Sequence, residues 1–355
     1  MQPFMPRMEI DLSKIRANTR ILADLYGAQG ISIMGVSKAV LGEPAIIEAM
    51  VQGGVKFIAD SRLENIQRMQ AAGISTDFVL LRTAPSQAEL IVEIVDISLN
   101  SELETIRKIA YYAGLSNKIH RIILMVELGD RREGILPCDL AEFIGEVLKL
   151  SQIKLVGLGC NLACYGGIKP DDQNMHGLSE QVELLERKFL IDFSIVSGGN
   201  SANYDWYKET QAVGRVNNLR LGESIFLGCE TVYGNVIPGL QTKAFQLVAE
   251  VIESKKKPSL PFGEICRDAF GNVPIFQDQG IHQRSIIALG KQDTLVSGLS
   301  LDRPLKILGS SSDHLILDSG KHNLQVGDAV NFSLNYGSLL RAMTSPFIRK
   351  QFMDS

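Results

Sequence analysis

No stretch of this 355-residue chain approaches the roughly 20 apolar residues needed to cross a bilayer. Nor does any excess of basic charge mark a nucleic-acid footprint: Lys and Arg number 36 against 40 Asp and Glu, a net charge of −4. The opening MQPFMPRMEIDLSKIRANT has no apolar core of the ~7–15 residues that a secretory leader requires. The five cysteines, Cys138, Cys160, Cys164, Cys229 and Cys266, form no CxxC pair. Cys160 and Cys164 lie close, but no second pair flanks them to complete a metal site. Free thiols in a reducing compartment are therefore expected. Low-complexity tracts and solenoid-like repeats are also missing. The expectation is a cytoplasmic protein with no membrane and no nucleic-acid partner.

What is present is ordinary globular material, 45% hydrophobic and 21% charged, long enough for two domains. From about Leu12 to Gly234, short apolar runs alternate with longer amphipathic stretches. The runs are Ile31–Val36, Val55–Ala59, Phe78–Leu81, Asp96–Leu99, Arg121–Leu128, Lys154–Gly159, Phe193–Val196 and Asn218–Arg220. Helical segments such as Pro44–Gln52, Arg62–Ala71, Ser101–Tyr112, Leu140–Leu150 and Met175–Leu190 lie between them. Ser101 followed by Glu104 reads as a capping box. Eight largely non-alternating strands with intervening helices fit a parallel (β/α)8 TIM-type barrel over residues 11–234, with an open doubly wound sheet as the alternative. Beyond Gly234 the texture changes. Lys255–Pro261 reads as a basic loop, and short glycine-punctuated segments follow at Arg284–Leu289, Thr294–Gly298, Leu305–Leu308, His314–Leu317 and Ala329–Leu334. This is a mainly β C-terminal domain, 235–355, joined by an N-terminal strand at 7–10.

If the barrel closes, groups at the carboxyl ends of its strands share one face. Lys38 ends the run beginning at Ile31, and a lysine there, facing a crevice, is placed to form a Schiff base. Arg132 follows the fifth strand in Glu127-Leu-Gly-Asp-Arg-Arg-Glu-Gly134. Asn161 and Tyr165 follow the sixth, Ser197-Gly-Gly-Asn-Ser201 the seventh, and Arg220-Leu-Gly-Glu223 the eighth. Consecutive glycines leave backbone N–H groups free for an anion. Ser197, Asn200 and Ser201, with Gly222 and Glu223 alongside, would cradle a phosphate, although tight turns alone would also explain the glycines. Arg220 stays protonated at any accessible pH. At a pyridine nitrogen it would donate a hydrogen bond, discourage protonation of the ring and suppress transamination. Arg132 would bond a ring hydroxylate or a substrate carboxylate, unless it belongs to a charge cluster with Asp130 and Glu133. Together these features point to a pyridoxal 5'-phosphate enzyme.

The blocks Asp60-Ser-Arg-Leu-Glu-Asn65, Asp96–Glu104, Cys160-Asn-Leu-Ala-Cys-Tyr-Gly-Gly167 and Ser197–Ser201 carry a likeness. The chain resembles the alanine racemase family of fold-type III pyridoxal-phosphate enzymes over nearly its whole length, most narrowly the ornithine racemase branch. The resemblance implies that Lys38 holds the cofactor and serves as the base on one face of the α-carbon. It implies Ser201, Gly222 and Glu223 as phosphate ligands, Arg220 as the ring-nitrogen partner and Arg132 near the ring oxygen. Tyr336, in Asn335-Tyr-Gly337, resembles a late tyrosine that reaches the phosphate. Family enzymes are head-to-tail homodimers in which the β domain of one subunit completes the barrel site of the other.

Several positions depart from the pattern. Leu41-Gly42 stand where a phosphate-binding tyrosine follows the cofactor lysine, and Met125 stands near a lysine carbamylated in some relatives. The tyrosine base of a Gly-Tyr-x-Asp motif is replaced in Gly290-Lys-Gln-Asp293, and Asp313-His314 stands where a Met-Asp pair is usual. Inversion needs proton exchange on both faces, so Lys291, His314 and then Tyr336 are the candidates for the opposite-face base. The expected substrate is a free amino acid, with ornithine or another basic amino acid first and alanine less favoured. Asp60, Glu64, Asp130 and Asp293 are candidate acidic contributors to its side-chain pocket, with Asp60 alternatively capping the following helix. A fold-type III aldolase or dehydratase and a non-catalytic pyridoxal-phosphate homeostasis protein are the competing readings.

Overall fold

The computed structural model describes residues 5–354. They divide into two compact units, one of residues 12–242 and one formed by the described residues up to Asp11 together with those from Lys243 onward.

The first unit is a closed barrel of eight parallel strands, numbered here after an initial strand β1 (Arg7–Asp11) that belongs to the second unit. They are β2 (Ser32–Val36), β3 (Phe57–Asp60), β4 (Asp77–Leu80), β5 (Ile97–Asn100), β6 (His120–Met125), β7 (Ile153–Gly159), β8 (Ile195–Ser197) and β9 (Asn218–Leu221). The barrel closes where β2 pairs with β9, Met34 opposite Arg220. Met34, Val36, Ala59, Val79, Ile97, Leu99, Ile123, Met125 and Val156 form a contiguous buried cluster. Each large aliphatic side chain there contributes roughly 1.5–3 kcal/mol of burial energy. Because side chains alternate across a strand, the neighbours of these residues face the surrounding helices.

Local chemistry fixes the connections. Pro44 sits in the first turn of the helix Pro44–Gln52, where a missing N–H costs nothing. Asp171 and Asn174 form a reciprocal capping box on the helix Asp172–Phe189. The box expected from Ser101 and Glu104 does not form; the helix Leu103–Leu115 starts after Glu102 without a side-chain cap. In the helix Leu12–Gly27, buried Asn18 donates to the carbonyls of Ile225 (2.9 Å) and Gln241 (2.8 Å) and accepts from the Gln241 N–H at 2.6 Å. This amide stitches the segment up to residue 242 onto the barrel, eight residues past the texture change read from the sequence.

The second unit is an antiparallel sheet of strands β10 (Phe245–Pro258), β11 (Ile281–Ile287), β12 (Leu299–Leu301), β13 (Lys306–Ser310), β14 (Leu315–Asp318) and β15 (Ala329–Leu334), ordered β12-β15-β10-β11-β14-β13. Strand β1 pairs antiparallel with β10 and parallel with β16 (Arg349–Met353). Three sequence expectations need correction. Lys255–Pro258 is strand, not loop: the three lysines pair with β11, and Glu253 neutralises Lys255 and Lys257. Thr294–Gly298 is not a strand but ends in a short 3-10 turn, Val296–Gly298, before β12. A helix, Tyr336–Thr344, lies in what was expected to be β structure, capped by Asn335 accepting from the Ser338 N–H at 2.9 Å.

His120 opens β6 on the helix-facing side, 4% exposed, with Nε2 2.8 Å from Ser98 Oγ. Burial, with help from the charges of Arg121 and Lys118, pushes its pKa down from 6.5 to about 4. The folded ring stays neutral where the unfolded ring takes up a proton. This contribution is therefore complete above pH 6.5 and is lost as the pH falls towards 4, amounting to about 3 kcal/mol. Urea unfolding measured across that window should show His120→Gln losing less stability on acidification than the parent. Parallel acid limbs for the two proteins would refute the assignment.

Candidate active site

Lys38 follows β2 by two residues and opens the short turn Lys38–Val40. The backbone below it is fixed by Ser37, whose N–H donates to the Ala59 carbonyl (2.9 Å) and whose hydroxyl donates to Asp60 Oδ2 (2.5 Å). Asp60 also accepts from the Arg62 N–H and the Asn65 side chain. Half-buried Lys38 has its amine pushed below the ordinary lysine range by desolvation. Cys164 opposes this, the Arg132 and Arg220 guanidinia reinforce it, and Asp60 opposes it. The amine is thus biased towards its neutral, proton-accepting form.

Arg220, on β9, is 5% exposed. Its Nη1 donates to Ser197 Oγ (2.5 Å), and its Nη2 donates to the Cys160 carbonyl (2.8 Å) and Asn161 Oδ1 (3.4 Å). Ser197 in turn donates to Asn218 Oδ1 at 2.8 Å. Burial works against the guanidinium's charge, but the group remains a cation. Asn161 Oδ1 also accepts from Asn200 Nδ2 (3.2 Å), while its own buried Nδ2 has no hydrogen-bond partner. A buried amide donor without a partner points to an acceptor supplied by a ligand.

The glycine segment after β8 is shaped by exclusion. Gly199 has φ +139°, and a Cβ there would collide with Asn203 Oδ1; one on Gly198 would lie 2.7 Å from Val216 Cγ1. Asn200 accepts from the Ala202 N–H at 2.8 Å, and Ser201 Oγ lies 3.1 Å from Ser224 Oγ and accepts from the Ser224 N–H. Ser201 therefore joins the glycine segment to the turn Gly222–Ser224 after β9. Burial, followed by the charge of Glu230, pushes the Glu223 carboxyl up to about 7.

In the loop after β6, Arg132 Nη1 donates to Cys164 Sγ at 2.6 Å, and its Nε and Nη2 donate to Glu133. Asp130, 1% exposed, accepts from the N–H groups of Cys164, Tyr165 and Gly166. Of the candidate acidic contributors to a substrate pocket, Asp60 takes its alternative role, accepting from the Arg62 N–H ahead of the following helix, and Asp130 holds a loop. Asp293 is likewise buried and accepts from the Gly290 N–H at 2.9 Å. Glu64 lies exposed in the first turn of the helix Leu63–Ala71. The contact of Cys164 with Arg132 was not foreseen, since 32 residues separate them.

The remaining candidates gather within the second unit. The Lys291 N–H donates to the Ser311 carbonyl, so the turn at Gly290 packs against the one bearing His314. Lys291 Nζ stands 3.4 Å from the centroid of the Phe270 ring, and His314 Nδ1 is 2.9 Å from Asp313 Oδ1. Tyr336 opens a helix tied to the same region by Ser338 Oγ donating to the Leu295 carbonyl (2.6 Å) and Thr294 Oγ1 to the Ser338 carbonyl (3.1 Å).

A desolvated lysine, a coordinated buried arginine and a glycine-shaped cradle on one barrel face define a cofactor-dependent barrel enzyme. A family model, alanine racemase, N-terminal domain, matches residues 10–229. Ornithine racemase from Acetoanaerobium sticklandii is 40% identical over 353 residues, 98% of this chain and 99% of that protein. Lysine racemase from Thermotoga maritima is 36% identical over 354 residues, 99% of each. The crystal structure of alanine racemase from Streptomyces lavendulae shares the fold, with a TM-score of 0.80 at 17% identity, covering 100% of this chain and 98% of that one. The chain belongs to the alanine racemase family. It is an isomerase, an amino-acid racemase dependent on pyridoxal 5'-phosphate. The residues present fit that cofactor: a glycine segment with no room for side chains, an unpartnered buried amide and a fixed guanidinium suit a phosphorylated, nitrogen-containing ring.

Gly199→Ala should cost about 1–3 kcal/mol through the forced positive φ and the clash with Asn203. Urea unfolding of the cofactor-free protein would measure the loss, and titration with pyridoxal phosphate should show weaker binding. Wild-type behaviour in both assays would show that the cradle has slack.

Proposed function

We propose that the enzyme racemises a free basic amino acid, with ornithine as the preferred substrate, using Lys38 as the base on one face of the α-carbon. The observation that carries this reading is the Lys38 amine itself, desolvated at the end of β2 and repelled by two guanidinia. The similarity to an ornithine racemase and a lysine racemase supports the substrate class.

When bound, pyridoxal phosphate delocalises the negative charge that develops at the substrate's α-carbon. Ser201 and the N–H groups of Gly222 and Glu223 would hold its phosphate end, with Tyr336 reaching the same group; Ser197 and Asn200, expected there from the sequence, instead have their donors committed to Asn218 and to Asn161 and Leu162. Arg220 would donate to the ring nitrogen. A permanent cation there disfavours ring protonation, which limits charge withdrawal and restricts the chemistry to removal and return of one proton. Arg132 would hold the ring oxygen or the substrate carboxylate. Lys38 would hold the cofactor, and its Nζ would exchange the substrate's α-proton on one face.

The opposite face needs a second group. Lys291 leads, followed by His314, and both would come from the β unit of a second subunit in a head-to-tail homodimer. Their gathering with Tyr336 on neighbouring segments supports this role. The cytoplasm suits the five free thiols.

Two measurements test the mechanism. Borohydride should fix the cofactor to the parent enzyme and not to Lys38→Ala, and that variant should lose inversion roughly 10²–10⁴-fold. In deuterium oxide, Lys291→Ala should still exchange the α-proton of one ornithine enantiomer without inverting it, whereas His314→Ala should invert normally. The reverse pattern would move the second base to His314, and cofactor fixation in Lys38→Ala would sink the scheme.

A further inference from the structure

A substrate with a cationic side chain needs an anionic partner, and the barrel's carboxylates are unequal in what they have left to offer. Asp60, Glu127, Asp130 and Glu230 all accept from backbone N–H groups. Asp60 adds the Ser37 hydroxyl and the Asn65 amide, and Asp130 receives three N–H groups in succession. Withdrawing any of these would leave loop donors unsatisfied, at a cost no substrate contact readily offsets. Glu223 sits beside the anion cradle and is only partly ionised at neutral pH, with a pKa of about 7.

Glu133 differs. Its recorded hydrogen bonds come from the Arg132 guanidinium and not from any backbone group. It lies in the loop after β6 and stands close enough to Arg220 for its charge to be felt there as well as at Arg132. It thus sits among the guanidinia that also act on Lys38. A carboxylate offers about four lone-pair directions, and the guanidinium fork takes two of them. The rest are available to another donor.

We propose that Glu133 selects the basic substrate, accepting hydrogen bonds from its side-chain ammonium while Arg132 keeps the carboxylate oriented. This rests on the reading of the enzyme as a racemase of basic amino acids. The pairing also accounts for the company Glu133 keeps. Without a second cation, a carboxylate on Arg132 only weakens that arginine's hold on an anionic ligand; with one, the two charges receive the two ends of a diamino acid.

The test compares ornithine with norvaline, which has the same carbon chain without the terminal amine, in the cofactor-loaded parent and in Glu133→Gln. Selectivity is read as kcat/KM or, for a poorly turned-over ligand, as competitive inhibition. Borohydride-fixed cofactor content serves as the check on folding. In the variant, kcat/KM for ornithine should fall about tenfold to a hundredfold, norvaline should be unaffected and the cofactor content unchanged. Glu133→Asp should recover part of the ornithine preference. Equal losses on both substrates would overturn the role of Glu133 alone, because they would show it acting only through Arg132. A parent enzyme that inverts norvaline but no basic amino acid would overturn the substrate reading and the role of Glu133 with it.

Discussion

A guanidinium cannot be buried without partners, and the coordination of Arg220 is the demand around which the barrel mouth is organised. Its two terminal nitrogens draw on Ser197 at the end of β8 and on Cys160 and Asn161 just past β7, while its own strand closes the barrel against β2. Removing any of these acceptors would leave a desolvated cation short of a bond. The same network reaches Asn200 through Asn161 and Asn218 through Ser197. A single buried charge therefore fixes the ends of several strands relative to one another. Those ends carry the groups that approach the cofactor.

The second consequence is electrostatic. Arg220 and Arg132 both act on the Lys38 amine, adding to the effect of its burial. In a site of low dielectric such neighbours count for far more than they would in water. Cys164 and Asp60 pull in the other direction, so the amine responds to several groups at once. Arg132 is itself held by Glu133 and Cys164. The base and the two arginines are thus electrically linked.

The barrel was legible in the sequence because most of its strands are buried on both faces and read as short, largely apolar runs such as Ile31–Val36 and Lys154–Gly159. Lys38 and Arg220 drew attention for a related reason: each is a cationic residue at the carboxyl end of such a run, on the barrel face where groups converge. Strand β10 was hidden because Ser254–Lys257 carries the composition of an exposed loop, and its lysines are accommodated only by Glu253 and by pairing with β11. The helix Tyr336–Thr344 was missed within a region read as wholly β. The choice among the acidic candidates was not legible, for a physical reason. Sequence reveals that Asp60 and Asp130 are carboxylates, but not that loop N–H groups already occupy them.

Strand β1 lies between β10 and β16, so its hydrogen-bonding partners all come from beyond the barrel in the chain. On the ribosome, residues 7–11 emerge before the barrel, yet the strand they pair with is not made until the whole of 12–242 has followed. At translation rates of about 5–20 residues per second, that wait lasts roughly ten seconds to most of a minute. Throughout it, a segment with buried Met8 and Ile10 has both edges open. The barrel has every strand it needs to close during this interval, whereas the sheet does not. The path of the chain thus makes every barrel strand available before either pairing partner of β1 exists.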